Sequence, residues 1–103
     1  MTAERRRYPR IPAAWPVRVG VGQDLVVGQT IDVSQYGLCV ITAPTGLLKE
    51  GNCYRVEVVA SMGEEVVVLG SVRHIGQRGI GIETTEPIPG RLIDSGSPSF
   101  LLR

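Results

Sequence analysis

The chain has 103 residues and 43% of them are hydrophobic, which suits one folded domain and excludes a disordered chain. Its net charge of +1 lacks the large basic excess of a dedicated nucleic-acid-binding module. No window approaches the roughly 18 apolar residues of a membrane span, and no apolar segment follows the N-terminal arginines as a secretory signal requires. We therefore expect a cytoplasmic protein with no membrane span.

Residues 1–12 predict a flexible arm rather than a helix. Pro9 and Pro12 fix φ and push the residues before them toward extended conformations. Four arginines of the arm fall within six positions: Arg5, Arg6, Arg7 and Arg10. Such an arm can lie against a folded body.

Residues 13–86 predict an all-β body. Valine and isoleucine dominate its apolar positions and suit pleated strands, while glycines suit tight turns. The predicted strands are residues 15–21, 25–33, 38–42, 53–60, 65–75 and 79–84. Their regular spacing favours a small closed antiparallel barrel, because closure removes exposed strand edges. Residues 87–103 predict a tail, with one helical turn at 91–94.

Several finer features follow from single positions. Gly28 suggests a β-bulge within the second strand. Between the third and fourth strands, Leu47 and Leu48 are expected to point inward, and Lys49 and Glu50 to be solvated loop residues.

The two cysteines and the single histidine predict no reactive centre. Cys39 and Cys53 lie in apolar runs without metal-ligand or CxxC spacing, so we expect buried, reduced thiols. One histidine, without a carboxylate pair or a Ser/His/Asp set, leaves little for acid–base catalysis. The sequence thus predicts no catalytic residues, no metal site and no enzyme.

Two short motifs indicate the function of the protein. Residues 6–10 read RxxxR, and residues 32–37 read DxSxxG at the end of a predicted strand. Arginine offers a planar set of donors for phosphate oxygens and for the acceptor edge of guanine. Aspartate offers acceptors for the N–H donors on the other guanine edge, and a glycine lets backbone approach a ligand. Together the motifs suit an anionic ligand that carries guanine.

With both motifs in this order before a β-rich body, residues 4–86 resemble the PilZ domain family. The resemblance implies a six-stranded antiparallel Greek-key barrel with an arginine-rich arm. It also implies cyclic di-GMP as the ligand, with no other cofactor. In this reading Arg6 and Arg10 bind phosphates and Hoogsteen edges, Asp32 and Ser34 bind guanine edges, and Gly37 keeps the turn open.

The resemblance adds two further candidates and leaves two departures. Arg5 resembles a position linked in the family to the number of ligands bound, and His74 lies where some members stack an aromatic ring on a base. Thr84 and Thr85 stand where the family often has an aromatic residue. A C-terminal helix, common in relatives, is not evident.

The expected function is that of a receptor or adaptor domain, which binds cyclic di-GMP, changes conformation and signals to an unidentified effector protein. Two alternatives stay open. One is a ligand-independent PilZ-like adaptor, although such relatives tend to lack the arginine motif. The other is a small β-barrel that binds nucleic acid, to which the low aromatic content and near-neutral charge give little support.

Overall fold

The computed structural model of the protein describes residues 9–60 and 63–96. In these ranges the chain forms strands β1 (Ile11–Pro12), β2 (Pro16–Val21), β3 (Asp24–Ser34), β4 (Gly37–Thr42), β5 (Cys53–Val59), β6 (Glu65–Gly76) and β7 (Gly79–Thr84), followed by the helix α1 (Gly90–Gly96). Each of the six strands predicted from the sequence is present, with ends that shift by at most one residue.

Strands β2 to β7 close into an antiparallel barrel, which confirms the predicted fold class. Around the barrel the order is β3, β2, β5, β6, β7 and β4, and β4 pairs with β3 to close the ring. Strands β2, β3 and β4 are consecutive neighbours, and β5 returns to lie beside β2. This order defines the Greek key. The short strand β1 pairs with the end of β3, beyond the reach of β2.

Alternating side chains from all six strands fill the barrel. Along β2, Val17 and Val19 are buried while Arg18 between them faces outward. This alternation places one side chain in two in the core, as a pleated strand requires. After β7, Ile88 and Leu92 add two more buried side chains to the same core. The Ile88 amide donates to the Gln35 carbonyl at 2.7 Å, which ties this C-terminal segment to the β3–β4 turn.

The predicted arm and tail both contribute ordered segments. Residues 1–8 lie outside the described residues, but Ile11 and Pro12 form β1 and Ile11 packs against the core. The helix α1 occupies the region where the sequence predicts a helical turn. It also supplies the C-terminal helix that the sequence did not make evident.

Four finer predictions were wrong. The bulge in β3 lies at Ile31, not at Gly28, because the register shifts between Thr30 and Asp32. Leu48 is buried, whereas Leu47 is 42% exposed. Both cysteines are reduced, but Cys53 is exposed and Cys39 only half-buried, because each occupies an outward position of its strand.

The fourth concerns Glu50, which is exposed but is not merely solvated. Its carboxylate Oε2 accepts a hydrogen bond of 2.9 Å from the backbone amide of Ile75 in β6.

Candidate functional site

A groove with a volume of about 750 Å³ runs across the outer surface of β3, β4, β7 and β6. Arg10 lies at one side of it and the β6–β7 turn at the other. The four strands are consecutive neighbours in the barrel, so the groove has a continuous hydrogen-bonded floor.

A β-bulge turns Asp32 toward the groove. Thr30 pairs with Val40 and is 2% exposed, so it faces the core. Strict alternation would place Ile31 outside and Asp32 inside. Because Ile31 is the extra residue, Asp32 instead pairs with Cys39 on the outer surface.

A second bulge acts in the same way on β6. Val72 pairs with Ile82 in the core, and the register then shifts so that His74, not Arg73, pairs with Gly81. The His74 ring lies across Gly76, where a Cβ would come within 2.6 Å of Nε2. Glycine at position 76 therefore gives the imidazole its place beside the groove.

These two bulges create a row of outward-facing residues across four strands. The row runs from Asp32 in β3 through Cys39 in β4 and Gly81 in β7 to His74 in β6. Its middle consists of a small thiol and a glycine, so the floor is low between a carboxylate and an aromatic ring. A flat heterocycle matches such a floor.

Arg10 and Asp32 form an ion pair at the side of the groove. The Arg10 Nη1 donates to Asp32 Oδ1 at 2.8 Å, and both side chains are 29% exposed. Twenty-two positions separate them in the sequence. The last residue of the RxxxR motif thus lies against the first residue of the DxSxxG motif.

Ser34 and Gly37 lie directly across from each other at the start of the β3–β4 turn. Ser34 is 5% exposed and lines the groove, yet its hydroxyl has no hydrogen-bond partner among the residues described. A Cβ at Gly37 would approach Ser34 Oγ to 3.3 Å and Arg10 Nη2 to 3.6 Å. Glycine here keeps open the space between hydroxyl and guanidinium. Buried hydroxyls are usually satisfied, which makes Ser34 a ready partner for a ligand.

Sequence reasoning missed several residues of the groove. Cys39 lies on its floor, where burial and the neighbouring Asp32 carboxylate raise the pKa of the thiol while Arg10 lowers it. Arg78 lies at the β6–β7 turn, and no ion-pair partner for it is present in the described ranges. Neither residue belongs to a motif. The pairing of β3 with β4 brings Cys39 opposite Asp32, and the pairing of β4 with β7 and of β7 with β6 brings Arg78 to the site.

The structure brings five predicted site residues to this one groove: Arg10, Asp32, Ser34, Gly37 and His74. Arg5 and Arg6 lie outside the described residues, so their predicted roles remain predictions. Among the residues described, no cluster of His, Cys, Asp and Glu could hold a metal ion. In that same part of the chain, no helix has both the length and the apolar character to cross a bilayer.

The described residues thus form a small closed barrel whose outer groove is lined by Arg10 and by the DxSxxG turn. The sequence model of the PilZ domain matches residues 4–94. The chain therefore belongs to the PilZ domain family, which confirms the resemblance. This is a family of ligand-binding and adaptor domains rather than of enzymes.

Solved structures share this fold. The inhibitor of motility MotI/DgrA of Bacillus subtilis superposes with a TM-score of 0.78 at 18% identity, over 97% of this chain and 53% of the other. The chain thus spans about half the length of that protein. The PilZ domain of YcgR from Escherichia coli, solved with c-di-GMP, gives a TM-score of 0.62 at 16% identity, over 90% of this chain and 86% of the other. No curated protein matches the sequence.

Proposed function

We propose that the protein is a receptor for cyclic di-GMP and that the groove is its binding site. The observation that carries this proposal is that Arg10, the last residue of the RxxxR motif, lies 2.8 Å from Asp32 of the DxSxxG motif, beside the buried Ser34 hydroxyl. The solved YcgR PilZ domain, which is similar in fold, holds this same ligand.

Each side chain has a role that its chemistry suits. The two oxygens of Asp32 accept from the N–H donors of a guanine base, and the Ser34 hydroxyl bonds to the same edge or to a phosphate. Arg10 donates to phosphate oxygens and to the Hoogsteen edge of guanine, and Arg6 does the same. His74 stacks on a base above the low floor formed by Cys39 and Gly81.

Binding acts as a conformational switch in this proposal. The arm carries four arginines within six positions, and these repel one another until an anionic ligand neutralises them. The ligand then holds the rest of residues 5–10 against residues 32–37, beside the ion pair that already joins Arg10 to Asp32. The free energy that drives this closure is the difference between the binding free energies of the ligand for the protein with the arm closed and with the arm open. In this proposal Arg5 supplies further hydrogen-bond donors to the anionic ligand.

The closed arm presents its surface to an effector protein, which is the partner we propose. The outer surface of β3 and β4 carries exposed apolar side chains: Leu25, Val27, Ile31 and Ile41. Apolar side chains grouped in this way are typical of protein contacts. The protein acts in this scheme as a cytoplasmic adaptor and not as an enzyme.

Titration calorimetry with purified protein and cyclic di-GMP tests the proposal. Hydrogen bonds to charged groups contribute roughly 1.5–3 kcal/mol, so Arg6→Ala or Arg10→Ala should weaken binding by about 10- to 150-fold. Arg18→Ala is the matched control, because Arg18 lies outside the groove and pairs with Glu57 at 3.1 Å. GTP serves as the control ligand.

The calorimetric result distinguishes the cyclic di-GMP receptor from the ligand-independent adaptor. Wild-type protein that binds cyclic di-GMP no better than GTP would refute the receptor and favour the ligand-independent adaptor. Unchanged affinity in both arm variants would refute the role of the arm.

A further inference from the structure

Strand β6 is longer than the strand that supports it. The pairing of β5 with β6 stops where Cys53 meets Ser71, while β6 continues to Gly76. The bulge at Arg73 and the groove residue His74 both lie in this extension. On the side facing away from β7, the extension therefore needs partners other than a strand.

The loop that precedes β5 supplies those partners. The Gly51 amide donates to the Val72 carbonyl at 2.7 Å, and the Val72 amide donates to the Asn52 carbonyl at 2.9 Å. Beyond the bulge, the Ile75 amide donates to Glu50 Oε2 at 2.9 Å. Two backbone bonds thus hold β6 before the bulge, and one carboxylate holds it after the bulge.

The carboxylate matters because the bulge decides which side chain of β6 lies opposite Gly81 on the groove floor. With the bulge at Arg73, His74 pairs with Gly81 and lies in the row that begins at Asp32. If β6 slipped to a regular register, Arg73 would take that place, because a shift by one residue exchanges the two faces of a strand. The hydrogen bond to Glu50 fixes the backbone at Ile75, the residue after His74, and therefore opposes this change of register.

We propose that Glu50 is a positioning residue for the ligand site, and that its carboxylate keeps His74 rather than Arg73 opposite Gly81 in the row that crosses the groove floor. This inference rests on the proposed binding of cyclic di-GMP. Glu50 acts through the backbone of β6 and does not itself line the groove.

The test compares Glu50→Ala with Glu50→Gln. A glutamine side-chain oxygen still accepts the Ile75 amide, whereas alanine removes the acceptor. Glu50→Ala should weaken cyclic di-GMP binding by about two- to tenfold, which is the lower end of the range expected for residues coupled through shared backbone. Glu50→Gln should bind within about twofold of the wild type. Glu65→Ala is the matched control, because Glu65 is an exposed carboxylate at the opposite end of β6.

A double-mutant cycle isolates positioning from a general structural effect. In a His74→Ala background, Glu50→Ala should cause no further loss of affinity, because the ring it positions is gone. An equal loss in both backgrounds would overturn the proposal. So would equal losses in Glu50→Ala and Glu50→Gln, since the effect would then belong to the charge.

Amide hydrogen exchange separates this inference from the proposed function, because it needs no ligand. The Ile75 amide should be protected in the wild type and exchange at least about tenfold faster in Glu50→Ala. If wild-type protein bound no cyclic di-GMP, the proposed function would fail. Amide hydrogen exchange would still test whether Glu50 holds the backbone of β6 at Ile75. An unchanged exchange rate of the Ile75 amide in Glu50→Ala would overturn the positioning role of Glu50, whatever the protein binds.

Discussion

Gly81 and Gly70, in the neighbouring strands β7 and β6, are glycines for different reasons. A Cβ at Gly70 would lie 2.4 Å from Ile82 Cγ2, inside the core. A Cβ at Gly81 would make its closest contact with His74 Cβ at an ordinary 3.7 Å. The barrel therefore needs Gly70 for its packing, whereas only the low floor of the groove needs Gly81.

We expect Gly81→Val to weaken cyclic di-GMP binding at least about tenfold with little change in stability. Valine suits a strand, but its methyl groups would occupy the floor between Asp32 and His74. Gly70→Ala, by contrast, should destabilise the fold by about 1–3 kcal/mol through overpacking. Calorimetry and urea denaturation on both variants check the pair. Gly81→Val protein that binds with wild-type affinity would show that the ligand does not cover this floor.

The residues of the groove differ in how far the sequence could reveal them. Asp32, Ser34 and Gly37 form a local motif, which is visible without a structure. Cys39 and Glu50 carry no such signal. Cys39 reaches the groove through strand pairing, whereas Glu50 does not line the groove and bonds to the backbone of β6 across 25 sequence positions.

At the scale of elements, Thr30 joins the chain between β1 and β2 to strand β3. Its buried hydroxyl accepts from the Trp15 amide at 2.8 Å and donates to the Ala13 carbonyl. The Thr30 amide also donates to the Trp15 carbonyl at 2.8 Å. Because Arg10 directly precedes β1, this junction helps determine where the arm leaves the barrel.

Thr30→Val should lower the free energy of unfolding by about 1–3 kcal/mol, because it leaves the Trp15 amide and the Ala13 carbonyl without this partner. Urea denaturation measures the change. Thr42→Val is the control, since the Thr42 hydroxyl donates to the exposed carbonyl of Ala43. That variant should stay within about 0.5 kcal/mol of the wild type. Equal effects in the two variants would contradict the anchoring role of Thr30.

At the scale of the whole molecule, a ligand that binds only the folded barrel must stabilise it. At a concentration one hundred times Kd, the gain is about 2.7 kcal/mol. For a domain of this size, each kcal/mol raises Tm by roughly 4–8 °C, so cyclic di-GMP should raise Tm by about 10–20 °C. Scanning calorimetry measures the shift, with GTP as the control. A rise no larger with cyclic di-GMP than with GTP would contradict specific binding.

Local patterns in the sequence determined the strands, the closed barrel and the two motifs. Alternation and turn residues act over a few positions, so the strand ends could be predicted to within one residue. The family resemblance came from motifs of five and six residues and was confirmed over residues 4–94.

Only the tertiary structure decided which side chains share the groove. The bulges at Ile31 and Arg73 interrupt the alternation, and nothing in the residues themselves marks them as the extra ones. Their positions follow from how six strands close into one ring, which is a condition on the whole barrel. Placing Asp32, His74 and the carboxylate of Glu50 therefore depended on pairings between distant strands and loops, which no local pattern records.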